Sequence, residues 1–255
     1  MVDDIEPLVE KYAADWPAWG HRKIAAMMRA DGCDASASSV LRAMARRGLL
    51  QPIDYQRERR DLAIARREAF IEVPTRRNRV WQTDFSEFET HGGGIWRISG
   101  AVDYVCKVML TARTSMNQTA ADAIESLEEA REQAGRWLGR PLVEDLLDRA
   151  TGELTPIKLV SDNGPAYKSS SFAGYIAARP EFTHIRTRRR SPHTNGVIER
   201  SFGTLKYEHL YREEISDGIV LAAETEYYRG VMNRIRPHEE LGFARPLDVY
   251  LQDPD

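Results

Sequence analysis

Between Leu159 and Leu210 the chain delivers two carboxylates from two differently patterned segments, and this restricts the fold more than any other stretch. The apolar run Ile157 to Val160 reads as a buried strand, and Asn163-Gly164 directly after Asp162 is a strong turn signal. Asp162 therefore belongs at a strand end, where open α/β sheets place their chemistry. Glu199 has a helical setting: Ile198, Phe202 and Leu205 recur at helical spacing, with Glu199, Gly203 and Lys206 on the neighbouring stripe. Packed on a sheet, that apolar stripe leaves the acid at its rim.

A third acid lies upstream. Val80-Trp-Gln-Thr-Asp84-Phe-Ser-Glu-Phe88 is rich in aromatic and β-branched residues and reads as a strand with Asp84 in its middle. If Asp84, Asp162 and Glu199 converge, they offer hard oxygen ligands of the kind that hold a pair of divalent cations at an in-line phosphoryl transfer. The surrounding pattern fits a layered domain. His91-Gly-Gly-Gly94 makes a hairpin turn, Ile95 to Val102 and Tyr104 to Ala112 read as strands, and Asn117 to Leu138 as a helix with Ile124, Leu127, Ala134 and Leu138 inward. Phe182 to Ile185 is a short strand, and Arg186 to Thr194 a basic loop leading to a helix that Asn195 can cap. Alternation and helical periodicity both occur, so the class is α/β with a mixed sheet.

The front of the chain is helical. Ile5 to Ala14, His21 to Ala30 and Ala37 to Arg47 form three short helices in a helix-turn-helix pattern; Ser36 caps the third, Val40, Leu41 and Met44 form its buried face, and Gly48 ends it. Ser38, Arg42, Arg46 and Arg47 are left exposed for a nucleic-acid groove, the alternative being a plain packing module. Pro52 to Asn78 is an Arg-rich linker whose Arg57 to Phe70 portion can be helical. At the other end Ile219 to Met232 is a helix, and Pro237 and Gly242 stop regular structure after it.

The formal net charge of −3 argues against indiscriminate polyanion binding. The average hides a segregation: arginines crowd residues 57–79 and 186–190, so a polyanion is received locally. Cys33 and Cys106 stand far apart, without the spacing of a disulfide framework or a cysteine zinc site. The acidic start Met1-Val-Asp-Asp and the lack of a long apolar run point to a cytoplasmic protein.

Trp81-Gln-Thr-Asp84, Ser161-Asp162-Asn-Gly164, and Pro192 through Glu199 followed by Lys206 and Glu208 resemble the catalytic core of bacterial insertion-sequence transposases in the retroviral-integrase (DDE) superfamily. Trp19-Gly-His21-Arg22-Lys-Ile24 and the Arg42 to Leu49 stretch resemble the small helical domain before that core, and Asn233-Arg-Ile-Arg236-Pro237-His238 a signature after it. The resemblance implies a ribonuclease-H-like mixed five-stranded sheet flanked by helices, with Asp84, Asp162 and Glu199 as catalytic and metal-binding triad for two Mg²⁺ ions, replaceable by Mn²⁺. Between Asp162 and Glu199 stand 36 residues, one more than is usual, an excess a loop absorbs cheaply. Asp103, at a strand corner, is read as a turn former outside the triad.

The domains expected are a helix-turn-helix-like domain over 1–52, a basic linker over 53–78, the catalytic core over 79–215 and a helical tail over 216–255. Arg42, Arg46, Arg186, Arg188, Arg189, Arg190, Asn195, Lys206 and Arg236 are the candidate DNA contacts; Arg236 and His238 could instead lock the tail to the core. The implied activity is cleavage and joining of DNA strands at element ends and target DNA by a homo-oligomer, some relatives being fused to an upstream helix-turn-helix protein. Two rivals fit the same residues: a nuclease that only hydrolyses, and a DNA-binding regulator with a silent core.

Overall fold

The computed structural model describes residues 5–15, 20–50, 74–148, 150–186 and 192–252. Trp19, the Arg57 to Phe70 segment and most of the expected linker lie outside these residues. Two compact units emerge, Met1–Asp61 and Leu62–Asp255.

The first unit contains α1 (Glu6–Asp15), α2 (His21–Ala30) and α3 (Ala37–Arg46) around Val9, Ile24, Met28, Val40 and Met44. Ser36 Oγ accepts from Ser39 N at 3.1 Å, capping α3, and Gly48 takes the left-handed conformation at φ 65° that ends it. Leu41 departs from expectation. It is 37% exposed, and Ala43 takes its place inside, because Ala43 falls on the Val40–Met44 stripe and Leu41 on its edge.

The second unit is built on five strands, β1 (Val80–Glu89), β2 (Ile95–Asp103), β3 (Met109–Ser115), β4 (Ile157–Ser161) and β5 (Phe182–Arg186), in the order β3-β2-β1-β4-β5. β1, β2 and β3 are antiparallel neighbours, and β4 and β5 continue the sheet in parallel from β1. The expected strand from Tyr104 instead begins at Met109. Asp103, fully buried, accepts from Val105 N at 2.9 Å and Cys106 N at 2.8 Å, folding residues 104–107 into a turn, and from Asn78 N at 2.7 Å. It is a turn former, with its acceptor capacity spent on backbone.

Alternation along the strands gives the sheet two apolar faces. On one, Trp81, Leu110, Ile157 and Leu159 pack with α4 (Ala120–Leu138), α5 (Leu142–Asp145), α6 (Pro165–Lys168) and α7 (Ser170–Ala177). Thr119 and Asp122 form a reciprocal capping box that starts α4 three residues later than its pattern suggested. On the other face, Phe88, Ile98, Val102 and Met109 pack with α8 (Pro192–Glu208) and α9 (Gly218–Arg234).

The C-terminal segment is part of this unit, not an appendage over 216–255. Asn233 on α9 receives Met109 N on its Oδ1 and donates Nδ2 to Met109 O, both at 2.8 Å, so its amide pairs with edge strand β3 like a further backbone unit. Arg229 donates to the carbonyls of Met109 and Leu110 at 3.2 and 3.0 Å. α10 (Pro246–Leu251) closes the other side through a buried network. Arg77 donates to Asp145 at 2.7 and 3.1 Å and to the carbonyls of Tyr250 and Gln252 at 2.8 and 2.5 Å.

The Arg77 and Asp145 side chains are only 5% and 4% exposed. Burial pushes the Asp145 carboxyl up, but hydrogen bonds from Arg77, Asn78 and Arg140 outweigh it and hold the pKa at about 2. Its contribution is therefore present above the ordinary value of 3.8 and lost as pH falls through about 2. Asp145→Asn leaves a buried guanidinium without its counter-ion and should cost about 3–5 kcal/mol at neutral pH, measured by urea unfolding. The variant's deficit should shrink between pH 4 and 2, because the wild type loses the same interaction there.

Candidate active site

Parallel pairing sets Thr83 of β1 opposite Ser161 of β4. Asp84 and Asp162 are the next residues, so the carboxylate in the middle of β1 and the one just past the end of β4 stand level on the same face, the one covered by α8. Asp162 Oδ1 accepts from Gly164 N at 2.8 Å, which closes the Asp-Asn-Gly turn on the acid's own side chain.

Two features seat α8 over these strand ends. Gln82, with no exposed surface, uses one carbonyl oxygen to accept from Val197 N and Ile198 N, both at 3.1 Å. On β2, Gly100 pairs with Asp84, and a Cβ there would stand 2.9 Å from Phe202 Cζ. The missing side chain lets Phe202 descend onto the sheet. Ile198, Phe202 and Leu205 are buried as their spacing predicts, and Glu199 remains exposed beside them.

Asn195 does not cap α8, because the helix starts at Pro192. Its Nδ2 donates to Asp84 Oδ2 at 3.0 Å, while its buried Oδ1 has no hydrogen-bond partner among the described residues. Asp84 also accepts from Phe85 N at 2.8 Å. Burial pushes the Asp84 carboxyl up to about 7; the negative charges of Asp162 and Glu199 push the same way, against hydrogen bonds from Phe85 N–H and Asn195. Asp84 thus senses both other acids. Among the described residues, however, no three His, Cys, Asp or Glu side chains close on one point tightly enough to hold a metal ion. The three share one electrostatic field without forming a finished cage.

The chemistry of this donor set fits a hard divalent cation. All three side chains offer carboxylate oxygen, the Asn195 carbonyl oxygen is unpaired beside Asp84, and a raised carboxyl pKa marks a deficit of positive charge. The neighbouring His184 is neutral: burial, then Arg186, lower its pKa to about 4, and Nε2 lies 2.8 Å from Ser161 Oγ. Tyr167 is buried beneath, its hydroxyl 3.2 Å from Thr83 Oγ.

The other candidate contacts divide. Lys206 lies half-buried on α8, its pKa lowered by burial against the pull of Glu87, and Arg186 ends β5 in register with Ser161. Arg188, Arg189 and Arg190 lie outside the described residues. Arg42 is exposed on α3, near Ser39 Oγ at 3.4 Å. Arg46 instead grips Glu6 at 2.6 Å, and Arg236 holds Glu208 through two hydrogen bonds of 2.7 and 2.8 Å. In each case an acid that neighbours it only in the fold has claimed the guanidinium. Gln82 escaped the sequence reading. The available signal was a polar residue at an inward position of a buried strand, which must find a partner.

Two predictions follow from this geometry. The raised pKa makes Asp84 a source of stability that is full below its ordinary value of 3.8 and lost as pH rises through about 7. In thermal melts of metal-free protein, Asp84→Asn should match the wild type at acid pH and exceed it above pH 7. Gln82→Leu removes the acceptor of two helical N–H groups and should cost about 1–3 kcal/mol in urea unfolding.

Comparison with known proteins places these features in context. Residues 181–246, which span β5, α8 and most of the C-terminal segment, match the integrase core domain model. Transposase InsD of insertion element IS2A/D/F/H/I/K from Escherichia coli is 25% identical over 268 aligned positions, covering 98% of this chain and 80% of that protein. InsD of IS2-9 from the K12 strain is 25% identical over 98% of this chain and 78% of that protein. In fold, the catalytic domain of Mos1 mariner transposase matches 71% of this chain and 83% of its own at TM-score 0.52 and 11% identity. A chain of the simian T-cell lymphotropic virus intasome matches at TM-score 0.53 and 21% identity, over 71% of this chain and 56% of that one.

Proposed function

We propose that this chain, a homologue of the insertion-sequence transposases with an integrase core, cleaves DNA strands and joins them to new partners, with Asp84, Asp162 and Glu199 as its catalytic carboxylates. The observation that supports this most is the behaviour of Asp84, a half-buried carboxyl raised to about 7 by its setting, with the charges of Asp162 and Glu199 both bearing on it. Such crowding is unfavourable for folding, and the hydrogen bonds from Phe85 N–H and Asn195 offset it only in part. A divalent cation held by these residues would remove the conflict.

Asp84, Asp162 and Glu199 would hold Mg²⁺, two ions in the fullest form, with Mn²⁺ as substitute. When bound, the metal supplies Lewis-acid stabilisation of the charge that develops on a phosphate under in-line attack. The chain's own residues do the rest. Asp84 would have to be deprotonated to serve as a ligand, so metal affinity should rise with pH up to about 7. Asn195 orients the Asp84 carboxylate through Nδ2 and keeps Oδ1 free for water or substrate. Gln82 fixes the height of α8 and so the approach of Glu199 to the strand ends. Lys206, farther along the Glu199 stripe, lies where a cation can receive a phosphate. No covalent protein intermediate is required, since water or a DNA 3′-hydroxyl serves as nucleophile. Action on paired ends by an oligomer fits this reading.

The test is a strand-transfer assay on element-end DNA with Mg²⁺ or Mn²⁺. Asp162→Asn should lower product formation by more than the roughly 10–100-fold that loss of an outer-shell partner costs. Retention of full activity would remove Asp162 from the site. Products cut but never joined would reduce the reading to a hydrolytic nuclease.

A further inference from the structure

On the flank of α8 away from Glu199, a cavity of about 300 Å³ opens between the helix and the loop that follows α9. Arg200, Ser201 and Thr204 form its α8 wall, Met232 its floor, and His238 and Phe243 its far side. The loop is closed on itself: His238 N donates to Ala244 O at 3.0 Å and Phe243 N to His238 O at 2.9 Å. It is a built rim, not a slack connection.

Three properties of the cavity are unexplained by folding. First, His238 Nδ1 is buried with no hydrogen-bond partner among the described residues, which costs free energy at the rim. Second, Phe243 is 70% exposed while its backbone sits at φ 67°, a region bulky side chains avoid. Lys107, another lining residue, is at φ 60°, so two of the three described non-glycine residues with positive φ meet at this one cavity. Strain of this kind collects at binding sites. Third, Gly196 and Gly203 lie on the solvent side of α8, and an added Cβ at either would meet nothing within 4 Å. They weaken the helix without serving its packing. They also leave its outer surface low between the Glu199 side and the Arg200 side, as the close passage of a ligand requires.

We infer that this cavity receives one unpaired nucleotide of the DNA strand that crosses α8 from Glu199. The inference rests on the DNA-processing reading above. The volume lies at the small end of ligand pockets and suits a single nucleotide, whereas a base-paired one cannot enter. The exposed Phe243 is a stacking platform for any base. Arg200, 64% exposed in its side chain, and Lys107 share the carboxylate of Glu240 in the structure, and an incoming phosphate competes with that carboxylate for them.

The experiment uses the full chain and a short single strand of mixed sequence carrying iododeoxyuridine, with the matching duplex as control. Irradiation followed by peptide mapping should place the cross-link on Phe243 or His238. Phe243→Gly relieves the backbone and should leave the unfolding midpoint unchanged or higher, while single-strand affinity falls at least about fivefold and duplex affinity holds. Thr204→Trp, which fills the cavity from its α8 wall, should give the same loss. Cross-links confined to other residues, with single-strand affinity intact in both variants, overturn the cavity assignment and leave the DNA reading standing. Absence of binding to either DNA form overturns both. Cross-linking between two protein copies through this loop, with no nucleotide attached, overturns the assignment in favour of a protein interface.

Discussion

The arrangement depends on how closely one helix can be held over the ends of two parallel strands. Apolar packing by Ile198, Phe202 and Leu205 presses α8 on the sheet, but hydrophobic contact is non-directional and does not set the helix's position along the strand. Gln82 does. Its side-chain oxygen takes two helical N–H groups in a dry environment, where hydrogen bonds are strong and costly to break. Gly100 sets the remaining coordinate by admitting the Phe202 ring where any other residue would hold it off. A polar clamp and an omitted side chain together position Glu199, which itself makes no contribution to the packing.

That positioning creates a cost. Asp84 is carried into a buried place facing two like charges, and its carboxyl answers by holding its proton to about pH 7. Residues placed for chemistry at the expense of stability must be offset elsewhere in the unit. The opposite face of the sheet supplies such an offset: the Arg77–Asp145 pair is enclosed, each partner is saturated with hydrogen bonds, and it joins the entry to β1, the short helix after α4, and the last helix. Contrast between the two acids is instructive. Burial acts upward on both carboxyls; at Asp145 hydrogen bonds from Arg77, Asn78 and Arg140 overturn it to give about 2, whereas at Asp84 burial prevails, helped by two neighbouring acids, to give about 7.

Local pattern carried much of this. Ile157 to Ser161 reads as a strand because its neighbours in sequence are its neighbours in energy, and the helical stripe containing Phe202 is equally self-declaring. The fold class and the face on which each acid would emerge follow from such periodicity. What did not follow were contacts between distant segments. Nothing near Arg46 or Arg236 in sequence announces that Glu6 and Glu208 will occupy them, so both look like free cations. Asn195 has the composition of a helix cap, and only its nearness to Asp84 across 111 residues reassigns its amide. The turn after Asp103 was misjudged for the same reason: apolar, β-branched residues suggest a strand until a buried carboxylate captures their N–H groups.

The C-terminal segment shows why the distinction between tail and core fails here. An edge strand such as β3 exposes unpaired N–H and C=O groups that invite wrong partners, and Asn233 and Arg229 satisfy them from α9. Arg236 then fastens the end of α9 to the end of α8 through Glu208, and the chain returns by way of α10 to place its carbonyls on Arg77. Each link joins this segment to an element that bears on the acids: β3 backs β2, α8 carries Glu199, and Arg77 anchors the start of β1. A core cut at residue 215 would thus retain all three carboxylates and lose the contacts that hold their supports in place. The supports of the three acids therefore run through the described part of the second compact unit, the helix that closes the sheet's far edge included.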